Sequence, residues 1–222
     1  MRKYLYLAAA AASAAIVALP AISADAAVAR VLTTGKVGGP AVRSGAVLKA
    51  SLVSGSSAVF SLGTGTVKLT CKSASFSATV RSNPAKPGTA TESLTAVSVA
   101  KCTFSGVMGV TLKSLKFKNL PYKVKVSDAK GFPVTVSELS KTMPLKFTAR
   151  VAVSSTSTIS CSYKAASIAG HASNTGNTVA FSKQKFTKAG GSSLCIGPAH
   201  LSAKFGPVRD TSVKNSPKVF VN

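Results

Sequence analysis

Residues 66–80 read TVKLTCKSASFSATV, and this stretch decides the fold class. Apolar and polar side chains alternate over 66–71 and again over 75–80, which is the period-two pattern of half-buried β-strands. Short alternating runs of Val, Thr, Ser, Ala, Lys and Phe continue along the chain, with Gly and Pro between them. The sequence therefore predicts an all-β fold, either an antiparallel β-sandwich or a barrel-like domain.

The alternating runs and the turn signals between them place the individual elements. Turns are predicted at 63–65, 83–84, 87–88, 119–121, 128–133, 174–177 and 189–191. The predicted strands are 46–52, 58–62, 66–71, 75–80, 93–99, 110–117, 123–126, 134–137, 145–153, 158–163, 166–169, 178–185, 200–205 and 218–221.

The first residues have the pattern of a secretion signal. Arg2 and Lys3 precede an uncharged, mostly apolar run over 4–19, and the small-residue motif Ala24-Asp25-Ala26 follows. This run is shorter than the roughly 20 residues that a membrane-spanning helix needs, so cleavage of residues 1–26 is favoured over an uncleaved anchor. We expect the mature protein to be secreted, and either released or held at the cell wall by noncovalent contacts.

Four cysteines remain after cleavage: Cys71, Cys102, Cys161 and Cys195. An even number in an exported chain favours two disulfides over a metal site, and the spacings are far from those of zinc modules. No metal ion or other cofactor is expected. Four cysteines allow three pairings, and the sequence alone does not exclude a bridge between the two halves of the chain.

An internal repeat surrounds these cysteines. Leu69-Thr70-Cys71 is followed by Ser82-Asn83 and then Cys102, and the same order occurs over residues 159–161, 173–174 and 195. The repeat predicts one domain over 27–222, built from related halves at about 45–120 and 144–222, with 121–144 as the connection. The favoured pairing is then Cys71 with Cys102 and Cys161 with Cys195.

Six further segments of the mature chain form a recognisable set: 82–84, 88–94, 168–177, 205–208, 210–212 and 219–222. In these segments the chain resembles a family of small secreted actinobacterial β-proteins with two cysteine pairs. The resemblance extends over most of the mature chain and implies export, cysteine pairing and a bacterial source, but no activity.

The charge balance is strongly positive. The chain has 28 Lys and Arg against 5 Asp and Glu, a formal charge of +23. Removal of Arg2, Lys3 and Asp25 with the signal leaves 26 basic and four acidic side chains, a formal charge of +22. Such a surface attracts polyanions, and export makes an extracellular polyanion the expected partner rather than intracellular nucleic acid.

Two clusters of lysines are the candidate polyanion-binding residues. If 110–117 paired with 123–126, the lysines two residues apart in each would form one basic ribbon. The second cluster surrounds Phe181 and Phe186, whose rings could stack on a ligand. The alternative is a solvated lysine surface that keeps the protein soluble. The candidates are Lys113, Lys116, Lys118, Lys123, Lys125, Lys183, Lys185 and Lys188.

Few residues of the sequence could serve in catalysis. His171 and His200 are the two histidines, and no G-x-S-x-G nucleophile motif is present. His171 is expected at the surface beside a turn and His200 within a half-buried strand. Glu92 is the best single acid, but a salt bridge with one of the many lysines is the expected state. We therefore expect no enzyme.

These observations predict a secreted, non-enzymatic binding or structural protein whose basic surface associates with anionic cell-envelope polymers, or with anionic lipid surfaces. The alternatives are a secreted protein-interaction module, with a protein as its partner, and an antimicrobial or toxin component. In the first of these the charge is incidental.

Overall fold

The computed structural model describes residues 28–222, and the predicted signal segment 1–26 with its cleavage site lies outside them. Within the described residues the chain forms strands and connecting loops, without a helix. The strands are β1 (Leu32–Thr34), β2 (Val47–Ser51), β3 (Ala58–Leu62), β4 (Val67–Ser82), β5 (Thr89–Ser105), β6 (Thr111–Lys118), β7 (Tyr122–Ser127), β8 (Pro133–Ser137), β9 (Leu145–Ala152), β10 (Thr158–Ala165), β11 (Ser167–Ser173), β12 (Thr178–Gly191), β13 (Ala199–Phe205), β14 (Arg209–Asp210) and β15 (Val219–Val221).

Eight of these strands close into an antiparallel barrel. In chain order β3, β4, β5, β7, β8, β11, β12 and β13 each pair with the next, and β13 pairs back with β3. Alternate residues point inward, as in β7, where Val124 and Val126 are buried and Lys123 and Lys125 are exposed. The all-β prediction is confirmed, and of the two predicted architectures the barrel is the correct one.

An outer sheet extends from one end of the barrel. The last part of β12 pairs with β10, β10 with β9, and β9 with β6. Aromatic rings fill the space beneath it. The Phe147 ring lies 5.0 Å from Tyr163, 5.1 Å from Phe60, 5.2 Å from Phe186 and 5.9 Å from Phe117, measured between centroids. These separations are typical of favourable aromatic pairs, so the cluster fixes the outer sheet against the barrel.

Beyond the barrel strands, β1 and β15 pair as a two-stranded ribbon, with Leu32 opposite Val221. Asn83, which follows β4, accepts a hydrogen bond from the Leu32 N–H and donates one to its carbonyl, both at 2.8 Å. Asn174, which follows β11, makes the same pair of bonds to Val221, at 3.0 and 2.7 Å. Two asparagines at matching places in the predicted repeat therefore hold the two strands of the ribbon.

Two disulfides join the cysteines in the favoured pairing. Cys71 and Cys102 are facing residues of β4 and β5, whereas Cys161 in β10 is bonded to Cys195 in the loop after β12. No cysteine among the described residues is free. Two disulfides are typical of proteins that fold in an oxidising, extracellular environment.

One pattern of strand pairing occurs twice. In the first half, β2 and β3 pair with successive stretches of β4. In the second half, β8 pairs with β11 and β9 pairs with β10, and only Ala166 separates β10 from β11. The same correspondence holds between the halves: β6 pairs with β9 and β7 with β8, whereas β13 pairs with β3 and β14 with β2. The repeated pattern covers 47–127 and 133–210, so 121–144 is not a separate connection. The common origin of the halves stays a prediction.

The predicted turn at 189–191 is wrong. Gly190 and Gly191 lie in β12 opposite Ser162 and Cys161 of β10. Gly191 has a φ of +109°, and a Cβ atom at this position would collide with the Ser160 carbonyl oxygen. Glycine here permits close approach of two strands rather than a chain reversal.

Candidate functional site

Three lysines form a row across the outer sheet. Lys118 in β6 is directly opposite Lys146 in β9, and Lys146 is directly opposite Lys164 in β10. Side chains at directly facing positions of an antiparallel pair have Cβ atoms about 5 Å apart, and like charges there destabilise the sheet. Lys118 and Lys164 are exposed and Lys146 is half-buried. The row concentrates positive charge at a cost in folding stability.

The same face carries further cations and hydroxyls. In the next row Lys116 faces Thr148, which faces Ser162, and the two hydroxyls lie 2.9 Å apart in a hydrogen bond. Arg150 follows in the third row, exposed. We call these five cations the basic face: Lys116, Lys118, Lys146, Arg150 and Lys164.

The four acids of the described residues lie elsewhere. Asp128 accepts the Gly88 N–H at 3.0 Å, and the buried Asp210 accepts the Ser212 N–H at 2.9 Å. Glu138 follows β8, and Glu92 is inside the barrel. Among the described residues, therefore, no carboxylate lies on the strands of the basic face to neutralise the positive charge of that face.

The first predicted lysine cluster is divided between two places. Lys116 and Lys118 belong to the basic face, and Lys113 is exposed beside them at an irregularity in β6. Lys123 and Lys125 project from the outside of β7. The condition for a single ribbon is not met, because β6 pairs with β9 whereas β7 pairs with β5 and β8.

The second cluster lies along β12, where Lys183, Lys185 and Lys188 are exposed. The Lys188 ammonium group donates hydrogen bonds to the carbonyls of Ser192 and Cys195, at 2.9 and 3.0 Å. It therefore helps to hold the loop that carries the second disulfide. Phe181 lines the barrel cavity and Phe186 is buried in the aromatic cluster, so their rings face inward and do not support ligand stacking at the surface.

Sequence reasoning missed Lys146, Arg150 and Lys164. Lys146 and Arg150 lie on one strand and Lys164 on the next, and only the pairing of β6, β9 and β10 brings them beside Lys116 and Lys118. The alternation of 145–151, with polar residues at 146, 148 and 150, was the available signal that Lys146 and Arg150 share a face.

A cavity of about 140 Å³ lies within the barrel. Leu32, Val219 and Val221 of the terminal ribbon line one part of it, and Phe117 and Phe186 of the aromatic cluster line another. The cavity therefore occupies the space between the ribbon and the aromatic cluster. Small residues of the barrel wall, such as alanines of β4 and β13, leave this space unfilled.

Glu92 projects into this cavity from β5. The residues directly opposite Glu92 are Val80 in β4 and Val124 in β7, and both are buried. Glu92 itself is 7% exposed. None of the hydrogen bonds among the described residues involves its carboxyl group, and no fully buried side-chain oxygen there lacks a partner, so its oxygens remain accessible from the cavity. The expected salt bridge with a lysine is wrong, because the strand alternation turns Glu92 away from the solvent side where the lysines lie.

Burial raises the pKa of Glu92 from its ordinary value of 4.5 to about 7. The cause is desolvation, since an apolar surrounding penalises the ionised carboxylate. With this pKa about half of the Glu92 side chains are neutral at pH 7, and the neutral carboxyl group has one O–H donor and a carbonyl acceptor. It can therefore form paired hydrogen bonds with a ligand that has both capacities.

The three catalytic candidates are not brought together. His171 is an exposed residue of β11, and His200 is half-buried in β13 opposite Lys185. Glu92 is enclosed in the barrel. Among residues 28–222, no group of three or more His, Cys, Asp or Glu side chains could hold a metal ion.

Comparisons with known proteins give no relative. No protein-family model matches the chain, and no curated protein or solved structure matches it at a significant level. In the part of the chain that the structure describes, no helix is long and apolar enough to cross a membrane.

Proposed function

We propose that this protein is exported and, without catalysis, associates through its basic face with anionic cell-envelope polymers. The expected ligands are phosphate polymers of the teichoic-acid type and carboxylate glycans. The observation that carries the proposal is the uninterrupted row of Lys118, Lys146 and Lys164 across three neighbouring strands. A sheet that keeps directly facing like charges loses stability, and a polyanion that neutralises them recovers it.

The kind of cation suits a repeating polymer. Four of the five cations of the basic face are lysines, whose flexible ammonium groups act as point charges and do not require one fixed ligand geometry. Neighbouring strands are about 4.8 Å apart, so the row spans about 10 Å and can contact successive charges of a chain. The formal charge of +22 on residues 27–222 adds a long-range attraction.

Export is supported by two independent features. The sequence of residues 1–26 has the charged start, apolar run and small-residue motif of a cleavable signal. The two disulfides suit an oxidising compartment outside the cytoplasm.

The test is the salt dependence of binding to a glycerol-phosphate polymer. The triple variant Lys118→Gln, Lys146→Gln and Lys164→Gln removes the row. Counterion release makes the logarithm of affinity fall linearly with the logarithm of salt concentration, with a slope of roughly one per phosphate contact. We expect the triple variant to lose at least tenfold in affinity at low salt and to have a slope smaller by about 2 to 3.

The matched control removes the same charge from exposed loop lysines: Lys86→Gln, Lys130→Gln and Lys214→Gln. This control should lose less than threefold. Equal losses in the two triple variants would show that net charge alone drives binding, and the basic face would then have no special role. Binding of wild type no tighter than that of a generic protein of equal charge would refute the proposal.

A further inference from the structure

Glu92 is the single carboxylic acid among the residues that line a mostly apolar cavity, and the proposed association with polymers does not use it. The two asparagine side chains that also line the cavity already have hydrogen-bond partners. The side-chain amide of Asn177 donates to the Val219 carbonyl at 2.9 Å, and that of Asn174 is bonded to Val221. Glu92 is therefore a cavity-lining polar group whose hydrogen-bonding capacity is left for something that enters the cavity.

The repeated strand pattern shows that the barrel does not need an acid at this place. Glu92 follows Thr91, which pairs with Ser82 of β4, and Val179 follows Thr178, which pairs with Ser173 of β11. Val179 therefore occupies the matching position of the other half, and it also lines the cavity. An unpaired buried carboxyl costs folding stability, whereas valine at the matching position does not.

We propose that the barrel interior binds a small, mostly apolar molecule with one neutral group that both donates and accepts a hydrogen bond, such as an alcohol or primary amide, through Glu92. The volume of about 140 Å³ sets the size. An apolar cavity of about 150 Å³ accommodates benzene, so the ligand has roughly six to ten non-hydrogen atoms. Eight-stranded barrels are of the width that holds one small ligand.

Charge favours a neutral ligand over an amine. A cation would have to approach a protein of formal charge +22 and then form an ion pair in an apolar interior, where desolvation offsets most of the attraction. A neutral hydroxyl or amide requires no charge to be buried. It would satisfy the donor and the acceptor of the protonated Glu92 carboxyl together.

The test compares three probes of one shape: toluene, benzyl alcohol and benzylamine. Calorimetric titration of the wild-type protein at pH 5.5, where Glu92 is protonated, should give an affinity for benzyl alcohol about tenfold higher than for toluene, the ratio one net hydrogen bond supplies. Glu92→Gln keeps one donor and one acceptor and should keep this preference. Glu92→Val, which copies Val179, should bind toluene as well as wild type does and lose the preference for the alcohol.

The location of the binding site is checked with Ala203→Leu, which places a larger side chain in the cavity wall. This substitution should weaken the binding of both toluene and benzyl alcohol at least tenfold. Thermal unfolding of each variant identifies any that fails to fold, and the selectivity of wild type remains decisive in that case. Equal affinity for toluene and benzyl alcohol, or no binding of any probe at millimolar concentration, would overturn the proposal. So would a preference for benzylamine, or an alcohol preference that survives Glu92→Val.

Discussion

The outer sheet of β6, β9 and β10 can be compared with its counterpart, formed by β13, β3 and the start of β4. The two have the same order of antiparallel pairing, and each covers part of the aromatic cluster. The first carries the five cations of the basic face. On the second, the row through β13, β3 and β4 contains His200, Ser61 and Lys68, and the next contains Ser202 and Val59.

The interior differs between the halves in the same way. Glu92 and Val179 occupy matching places in β5 and β12, and only the first is ionisable. The scaffold thus tolerates different side chains at these inward and outward positions, because both halves fold with them. The residues that differ between the halves, and that cost stability where they occur, are therefore the candidates for function.

The largest expected effect concerns Glu92 and Val179. The folded protein favours protonated Glu92, because burial raises its pKa from 4.5 to about 7. The contribution of Glu92 to stability is therefore greatest below pH 4.5, falls as the pH rises from 4.5 through about 7, and is lower above it by about 3 kcal/mol. Denaturant unfolding from pH 4.5 to 8.5 should show this loss in wild type but not in Glu92→Gln or Glu92→Val.

Glu138→Gln is the matched control for this measurement, since it removes an acid of the same type that lies outside the barrel cavity. It should leave the pH dependence of wild type unchanged. A pH profile of Glu92→Gln that follows the wild-type curve would show that the carboxyl group is solvated, and the distinction between the two halves at this position would be lost.

A smaller effect is expected at Asn83 and Asn174. Each makes two hydrogen bonds to one residue of the terminal ribbon, so Asn83→Ala and Asn174→Ala should each destabilise by about 1 to 3 kcal/mol. Asn83 also donates to the Val42 carbonyl at 2.9 Å, so Asn83→Ala should cost more than Asn174→Ala, by about 1 kcal/mol. Denaturant unfolding gives both values, and Ser44→Ala, whose side chain makes a single bond to the Arg81 carbonyl, should cost less.

Much of the fold follows from the alternation of side chains. The strand 58–62 was predicted with its observed bounds, because turn residues lie on both sides of it. The runs 66–71 and 75–80 join into one strand, since pairing with β5 continues on both sides of the interruption at Lys72. β1 has three residues, too few for a periodic signal, and it exists because β15 and Asn83 bind it.

The candidate site was less predictable. Lys116 and Lys118 were identified because they alternate within one strand, whereas Lys146 and Lys164 become their neighbours only through pairing between strands distant in sequence. Glu92 was identified as an acid, but its burial depends on which face of β5 turns inward. Local alternation gives two faces and does not say which one is enclosed.

Lysine acetylation footprinting with and without a glycerol-phosphate polymer tests most directly whether the basic face is where polyanions bind. The reactivity of each lysine is measured by mass spectrometry under conditions of limited modification. The account predicts at least threefold protection of Lys116, Lys118, Lys146 and Lys164 by the polymer, with little change at Lys86, Lys130 and Lys214. Uniform protection of all exposed lysines, or stronger protection of the loop lysines, would contradict it.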